Sequence, residues 1–418
     1  MIKKLQLAVF LLGSTILSAQ TEPVRKCGTM EHLATMLKEN PALESEMRQY
    51  NAEIDEWIAA HQYERASNAT ITIPVVFHIL YNTSAQNISD AEIESQVVAM
   101  NADFMGTNAD ASKIPSVFKS LMGTPGIQFC LAKRTPAGAP TNGIIHKSTT
   151  KTSFTDNDAA KYSSQGGDDA WDTKKYFNIW ICNLSGDLLG YGEFPTSTAT
   201  KTYGYVGHYK YTGTLKSEYP FNKGRTTTHE IGHCLNLRHI WGDADCGNDN
   251  VTDTPTQKTS NSECPSFPHV TCGNGPNGDM FMNYMDYVYD ACMVMFSKGQ
   301  TTRMLASINK APYNALQTSD GCTPPVNTGI ISITPVNMIS LYPNPSDGIF
   351  NISFVPNEQV IHSLEIRNVL GQVVFKDEMG ASTPNYSKAI DIQKFGKGTY
   401  TVLILNEHRV LASKMIVY

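Results

Sequence analysis

His229-Glu230-Ile231-Gly232-His233 sets two imidazoles four residues apart, with a carboxylate beside the first. On a helix, residues four apart lie one above the other on the same face, so both rings can converge on one cation. Tetrahedral zinc takes neutral imidazole readily, and the adjacent glutamate can then reach a water at an open position on the metal. A third histidine, His239, stands six residues past His233, where a turn must bring it back toward the other two. A rival arrangement would use a downstream glutamate as third ligand. The nearest, Glu263, sits beside Cys264-Pro265 in non-helical sequence and is rejected. With His229, His233 and His239 on zinc, Glu230 would take the water's proton during attack on a peptide carbonyl and pass it to the leaving amine. The competing class is a surface-binding protein that keeps zinc for structure. Such a site closes the fourth position with another protein ligand and has no use for Glu230.

The elements that must carry this site are legible in outline. The chain has 418 residues, too many for one ordinary domain, and 41% of them are hydrophobic, enough for sizeable cores. A net charge of −6 with no basic patch argues against a nucleic-acid partner. Lys3 and Lys4, the apolar run Leu5 to Leu17, and the small residues Ser18-Ala19 have the layout of a signal peptide over 1–19. No later segment has the apolar length of a transmembrane span. Export also explains the nine cysteines, since disulfides persist in oxidising compartments.

A polar helical segment follows. Asn40-Pro41 reads as a cap and first turn, and Leu43, Met47, Ile54, Trp57 and Ile58 form an apolar stripe running to about Gln62. From Ala69 the pattern turns to strand, so a boundary is placed at 65/66, closing a segment of 20–65. A mixed region of 66–318 comes next, with a helix expected at Asp90 to Phe104 and a buried strand at Phe177 to Cys182. Residues 319–338, rich in Thr, Pro, Gly and Asn, read as a linker. Residues 339–418 alternate Phe350, Ile352 and Phe354 with polar neighbours, and end in strand-like runs, as a small all-β sandwich would.

The run from His229 to His239 resembles the metzincin zinc signature, and its surroundings resemble the pappalysin family. Gly224-Arg225-Thr226, Leu237 to Asp243, and Asn283-Tyr284-Met285-Asp286-Tyr287 carry that likeness, which covers about Ala66 to Thr318. It implies an α+β metzincin catalytic domain, a mixed twisted sheet with a zinc-binding helix, behind a helical propeptide. It implies that Met285 makes a turn beneath the zinc and that Tyr287 helps hold the developing oxyanion. The family usually has glycine where Asn236 stands, because the helix ends there in a left-handed conformation; asparagine is the next most tolerant residue. Arg- and Lys-selective members carry an aspartate at the place of Asp290, two residues before Cys292. Cleavage before arginine, then lysine, is therefore expected, although an isolated aspartate is more often a solvated loop carboxylate.

Cys246, Cys264, Cys272 and Cys292 flank the turn-rich stretch after the zinc motif, and four cysteines allow three pairings. The resemblance implies Cys246–Cys272 and Cys264–Cys292, while Cys130, Cys182, Cys234 and Cys322 stay unassigned and Cys234 reads as a small buried residue. It also implies structural calcium held by residues matching Asn248 and Thr252 (backbone), Asp249 and Thr254. Cys27, in the segment read as a propeptide, taken alone reads as an unpaired cysteine; the resemblance to metzincin precursors implies that it caps the zinc as a latency switch. The tail resembles type IX secretion sorting domains through Leu341 to Pro345, Gly371-Gln372, Gly398-Thr399-Tyr400 and a last strand containing Lys414. That implies a Gram-negative source, passage through the periplasm, contact with the type IX machinery, and a product released or held at the surface.

Overall fold

A computed structural model describes residues 24–61, 70–325, 339–354, 362–379, 386–405 and 410–417. The expected signal peptide and the expected boundary at 65/66 lie outside these residues. The chain divides into two compact units, one ending at Pro325 and the other beginning at Val326. No described helix is long and apolar enough to cross a membrane.

The first unit is built on a mixed sheet. β1 (Ile71–Tyr81) pairs in parallel with β2 (Ile127–Leu131) and β3 (Ile144–Ser148) along one side and with β4 (Phe177–Cys182) along the other. β4 pairs in parallel with β6 (Gly204–His208), and the three-residue β5 (Gly190–Gly192) closes the edge antiparallel to β6. Strands covered on both faces read as unbroken apolar runs, which is why Val75-Val76-Phe77 and Ile179-Trp180-Ile181 show no alternation and are all buried. α3 (Asp90–Phe104) occupies the expected span, with the Ser89 hydroxyl accepting from the Glu92 amide at its start. A single turn of helix, α4 (Ser116–Lys119), follows.

α5 (Arg225–Cys234) carries the histidine motif and has no exposed residue along its length. It lies directly against the edge strand because that strand offers glycine: a Cβ on Gly192 would stand 2.6 Å from the Glu230 carbonyl oxygen. Asn236 takes φ +71° just past the helix end, and its side-chain nitrogen donates to Asn51 Oδ1. α6 (Lys298–Asn309) starts in a full capping box between Ser297 and Gln300.

The N-terminal segment holds two helices, α1 (Thr29–Glu39) and α2 (Ala42–His61), where the sequence pattern pointed to one starting near Pro41. The stripe read for the later helix is sound, since Leu43 and Ile54 are buried. α1 escaped notice because its apolar stripe is short and broken by threonine and histidine. α2 packs on α6 through Tyr50, whose hydroxyl donates to the Ser307 carbonyl, and through Arg303 with Asp55.

Three disulfides are formed: Cys246–Cys272, Cys264–Cys292 and Cys130–Cys322. Cys182 and Cys234 are free and buried. The Cys130–Cys322 bridge ties β2 to the turn at Asp320–Cys322 across 192 residues of sequence. Closing so long a loop constrains the unfolded chain, an effect of about 2–4 kcal/mol. Replacing both cysteines by alanine is therefore expected to lower the melting temperature of this unit by roughly 5–15 °C. An unchanged melting temperature by calorimetry would show that the bridge adds no net stability.

The second unit consists of two antiparallel sheets. One orders β10 (Val373–Met379), β9 (His362–Arg367), β12 (Gly398–Leu405) and β13 (Val410–Val417); the other orders β11 (Tyr386–Asp391), β8 (Ile349–Phe354) and β7 (Ile339–Tyr342). Phe350, Ile352 and Phe354 from one sheet and Leu364, Ile366, Val402 and Ile404 from the other share one buried cluster. This is the alternation of inward and outward residues that a sandwich requires.

Candidate active site

His229 and His233 project from one face of α5, and His239 returns to them after the turn at Asn236. The Nε2 atom of His233 lies 3.2 Å from that of His229 and 3.1 Å from that of His239. Each opposite nitrogen has an acceptor: Tyr284 O for His229 at 2.7 Å, Leu237 O for His233 at 2.8 Å, and Asp243 Oδ1 for His239 at 2.5 Å. These acceptors fix the proton on Nδ1, so three Nε2 lone pairs face one another, and only a cation among them satisfies all three. Burial holds His229 and His233 neutral by lowering their pKa well below the ordinary value. The cluster is complete with Cys27, whose sulfur lies 3.5 Å from His233 Nε2. The four donors fit zinc, with three imidazoles and one thiolate.

Glu230 sits on the same helix, with its carboxylate outside the ring of imidazoles and 3.4 Å from the Cys27 sulfur. Burial pushes its carboxyl up to about 7. Met285 is wholly buried beneath the helix, and a Cβ on Gly232 would meet its sulfur at 2.5 Å. Glycine at that step lets the Met285 turn approach the histidines. Tyr287 follows in the same turn, its ring 5.0 Å from that of His239 and 5.7 Å from that of His229.

Asp290 is fully buried at the N-terminal end of α5, where its Oδ2 accepts from the backbone amides of Lys223 at 2.7 Å and Arg225 at 3.3 Å. It is not a solvated loop carboxylate. Its other oxygen meets Arg25 of the N-terminal segment at 2.5 Å. The same guanidinium donates to Thr226 Oγ1 at 2.9 Å and Val288 O at 3.4 Å, and lies 4.7 Å from the centre of the Phe221 ring. Arg25 went unremarked in the sequence, although its spacing of two from Cys27 places both side chains on one face of an extended strand. Thr29 was also missed: its hydroxyl donates to Glu230 Oε2 at 3.0 Å and accepts from the Gly192 amide at 2.8 Å.

In the turn after the motif, the Thr254 hydroxyl lies 3.0 and 2.9 Å from the two oxygens of Asp249, and the Asn248 side chain accepts from the Asn250 amide. Burial raises the Asp249 carboxyl to about 7.

The fold and the histidine cluster define a metzincin zinc endopeptidase. The family model for pregnancy-associated plasma protein-A peptidases matches residues 160–309, and that for a secretion system C-terminal sorting domain matches 340–418. An extracellular metalloprotease of Arthroderma otae is 30% identical over 308 residues, 72% of this chain and 96% of its own. Among solved structures, mirolysin in complex with a small compound is 49% identical with a TM-score of 0.59, over 62% of this chain and 99% of its own. A promirolysin mutant of Tannerella forsythia is 45% identical with a TM-score of 0.65, over 70% and 97%. The chain belongs to the pappalysin family of metallo-endopeptidases and carries a sorting domain at its C-terminus.

Proposed function

We propose that this chain is the latent precursor of a secreted endopeptidase that cuts on the N-terminal side of arginine and, second, of lysine. Its parts are a signal peptide (1–19), a propeptide (20–65), a catalytic domain (66–318), a linker (319–338) and a type IX sorting domain (339–418). The observation that carries the specificity is the Arg25 guanidinium seated on Asp290, with Thr226, Val288 O and Phe221 around it. A planar fork meets several acceptors there, whereas a lysine ammonium meets them as a point charge.

In the proposed mechanism, His229, His233 and His239 would hold zinc, which would supply Lewis acidity toward the scissile carbonyl and toward water. Glu230 accepts the proton of the attacking water and delivers it to the departing amine nitrogen. The Tyr287 hydroxyl donates to the carbonyl oxygen as charge develops on it. Calcium, if bound, would sit in the 248–254 turn on Asn248, Asp249, Thr252 and Thr254. The buried Asp249 carboxylate is the support for that assignment. Digestion of a peptide library by the processed enzyme tests the reading. Arginine is expected after the cut, and aliphatic residues in that place would refute it.

Latency follows from the same contacts. The propeptide pairs in parallel with β5 at Cys27 and Gly190. Arg25 precedes Cys27 in the chain, whereas a substrate's arginine follows its scissile carbonyl. A substrate filling the Asp290 pocket therefore runs in the opposite direction to the propeptide, which leaves the propeptide uncut. Burial and the Glu230 carboxylate push the Cys27 thiol well up, so a cation among the imidazoles is needed to hold it as thiolate. Cys27→Ala precursor is expected to mature about tenfold faster or more, the change that follows from losing about 1.4 kcal/mol of restraint. Equal half-times on a gel time course would assign latency to Arg25 and Thr29 instead. The bond Glu64–Arg65, outside the described residues, is the proposed self-processing site.

A further inference from the structure

The edge strand β5 has an acidic pocket at each end, and a propeptide side chain fills both. At one end Arg25 meets Asp290. At the other, Glu193 follows Gly192, and its carboxylate stands 3.1 Å from the buried ammonium of Lys161, which lies 2.8 Å from Asp158 as well. Two carboxylates and one ammonium leave a net negative charge, with the Lys161 ammonium already supplying the cation between them. Into this cluster reaches His32 from α1. Its Nδ1 lies 2.6 Å from the Asp156 carbonyl oxygen, and its ring lies 4.8 Å from that of Tyr191. Its Nε2 lies 3.5 Å from Asp158 Oδ2 and, though buried, makes no hydrogen bond. Every wall of the pocket belongs to the catalytic domain; only the occupant belongs to the propeptide. The walls are also fixed without it, since Lys161 holds both carboxylates and Thr200 donates to Glu193 Oε1 at 2.5 Å.

Order along the edge strand relates the two pockets. Leu189 N donates to Lys26 O, Gly28 N to Gly190 O, and Gly192 N to Thr29 Oγ1, so the histidine cluster faces the middle of the strand. Leu189 shares a buried cluster with Phe221 and Tyr289 at the Asp290 end, and Glu193 stands at the far end. A peptide with its arginine on Asp290 therefore presents residues before the cut to the Glu193 pocket. At a strand rise of about 3.3 Å, these lie roughly two to four residues upstream.

We propose that the pocket formed by Asp156, Asp158, Lys161, Tyr191 and Glu193 is a second specificity subsite. It takes an arginine or histidine side chain of the polypeptide substrate shortly before the scissile bond. The assignment rests on the reading of Asp290 as the pocket for the residue after the cut. A carbonyl and a carboxylate accept from the N–H groups of guanidinium or imidazole, the Tyr191 ring packs against the planar group as it does against His32, and an acidic side chain is repelled.

The test uses full-length precursor, loaded with zinc and allowed to process itself, against two peptide libraries. One varies the residue after the cut; the other fixes arginine there and varies each residue before it. Arginine or histidine at one upstream position is expected to raise kcat/KM about tenfold over alanine, and aspartate or glutamate to lower it. Glu193→Gln is expected to flatten that ratio, and Asp158→Asn serves if the first variant does not fold. A flat upstream profile with the downstream arginine preference intact overturns the subsite and leaves the Asp290 reading standing. An upstream preference unchanged in both variants also overturns it. Loss of the downstream preference overturns both readings together.

Discussion

Glu230→Ala is expected to cut peptide hydrolysis by roughly 10²–10⁴-fold while the chain keeps its zinc, because the role proposed for this carboxylate is to move protons and not to bind metal. The geometry separates the two roles. The three Nε2 atoms converge on one another, whereas the Glu230 carboxylate lies beside the Cys27 sulfur and accepts from Thr29. Removing it leaves the three Nδ1 acceptors untouched, so the imidazoles keep their orientation. A second consequence is that the Glu230→Ala precursor should fail to shorten itself over a time in which the parent matures. Metal content by atomic absorption, activity on a fluorogenic peptide and a gel of the precursor read all three effects. Activity within tenfold of the parent would remove Glu230 as the base.

Asp290→Asn is expected to lower kcat/KM for peptides with arginine after the cut by roughly 10–100-fold, while peptides with neutral residues there lose much less. A charge-assisted hydrogen bond contributes about 1.5–3 kcal/mol, and each 1.4 kcal/mol is about a factor of ten. Asparagine suits the test because Asp290 has two duties. Its Oδ2 accepts from the Lys223 and Arg225 amides at the start of the zinc helix, and an amide oxygen can continue to do so. The lost charge then falls on the guanidinium side, where Oδ1 meets Arg25. Arg225, whose guanidinium contacts the Asp290 carbonyl and Asp110, holds the backbone of the pocket in place. The same variant should loosen the propeptide, because Arg25 uses the pocket that substrate arginine would use. A variant that matures faster yet keeps its arginine preference would mean that the pocket anchors the propeptide without selecting substrate.

The histidine motif was legible because helical periodicity alone puts His229 and His233 on one face. His239 could be added only by assuming a turn, and that turn is made at Asn236 with φ +71°. Pairing of Cys130 with Cys322 could not be read, because the two are 192 residues apart and meet only where β2 passes the end of the unit. α1 was not foreseen, since a short helix owes its stability to the surface it packs on more than to its own sequence.

By itself, then, the sequence placed two histidines and a glutamate together on one helix, and showed the strands buried on both faces and the alternation of the C-terminal sandwich. These are properties of neighbours within one or two turns or pleats, where spacing and side-chain type decide which face a residue occupies. Tertiary structure alone decided that Asp290 is buried and capped, that Arg25 and His32 fill pockets at the two ends of β5, and that Thr29 reaches Glu230. Those contacts join residues from 65 to 265 positions apart. Their energy comes from pairing charged and polar groups away from water, and no local periodicity records which partners will be desolvated together.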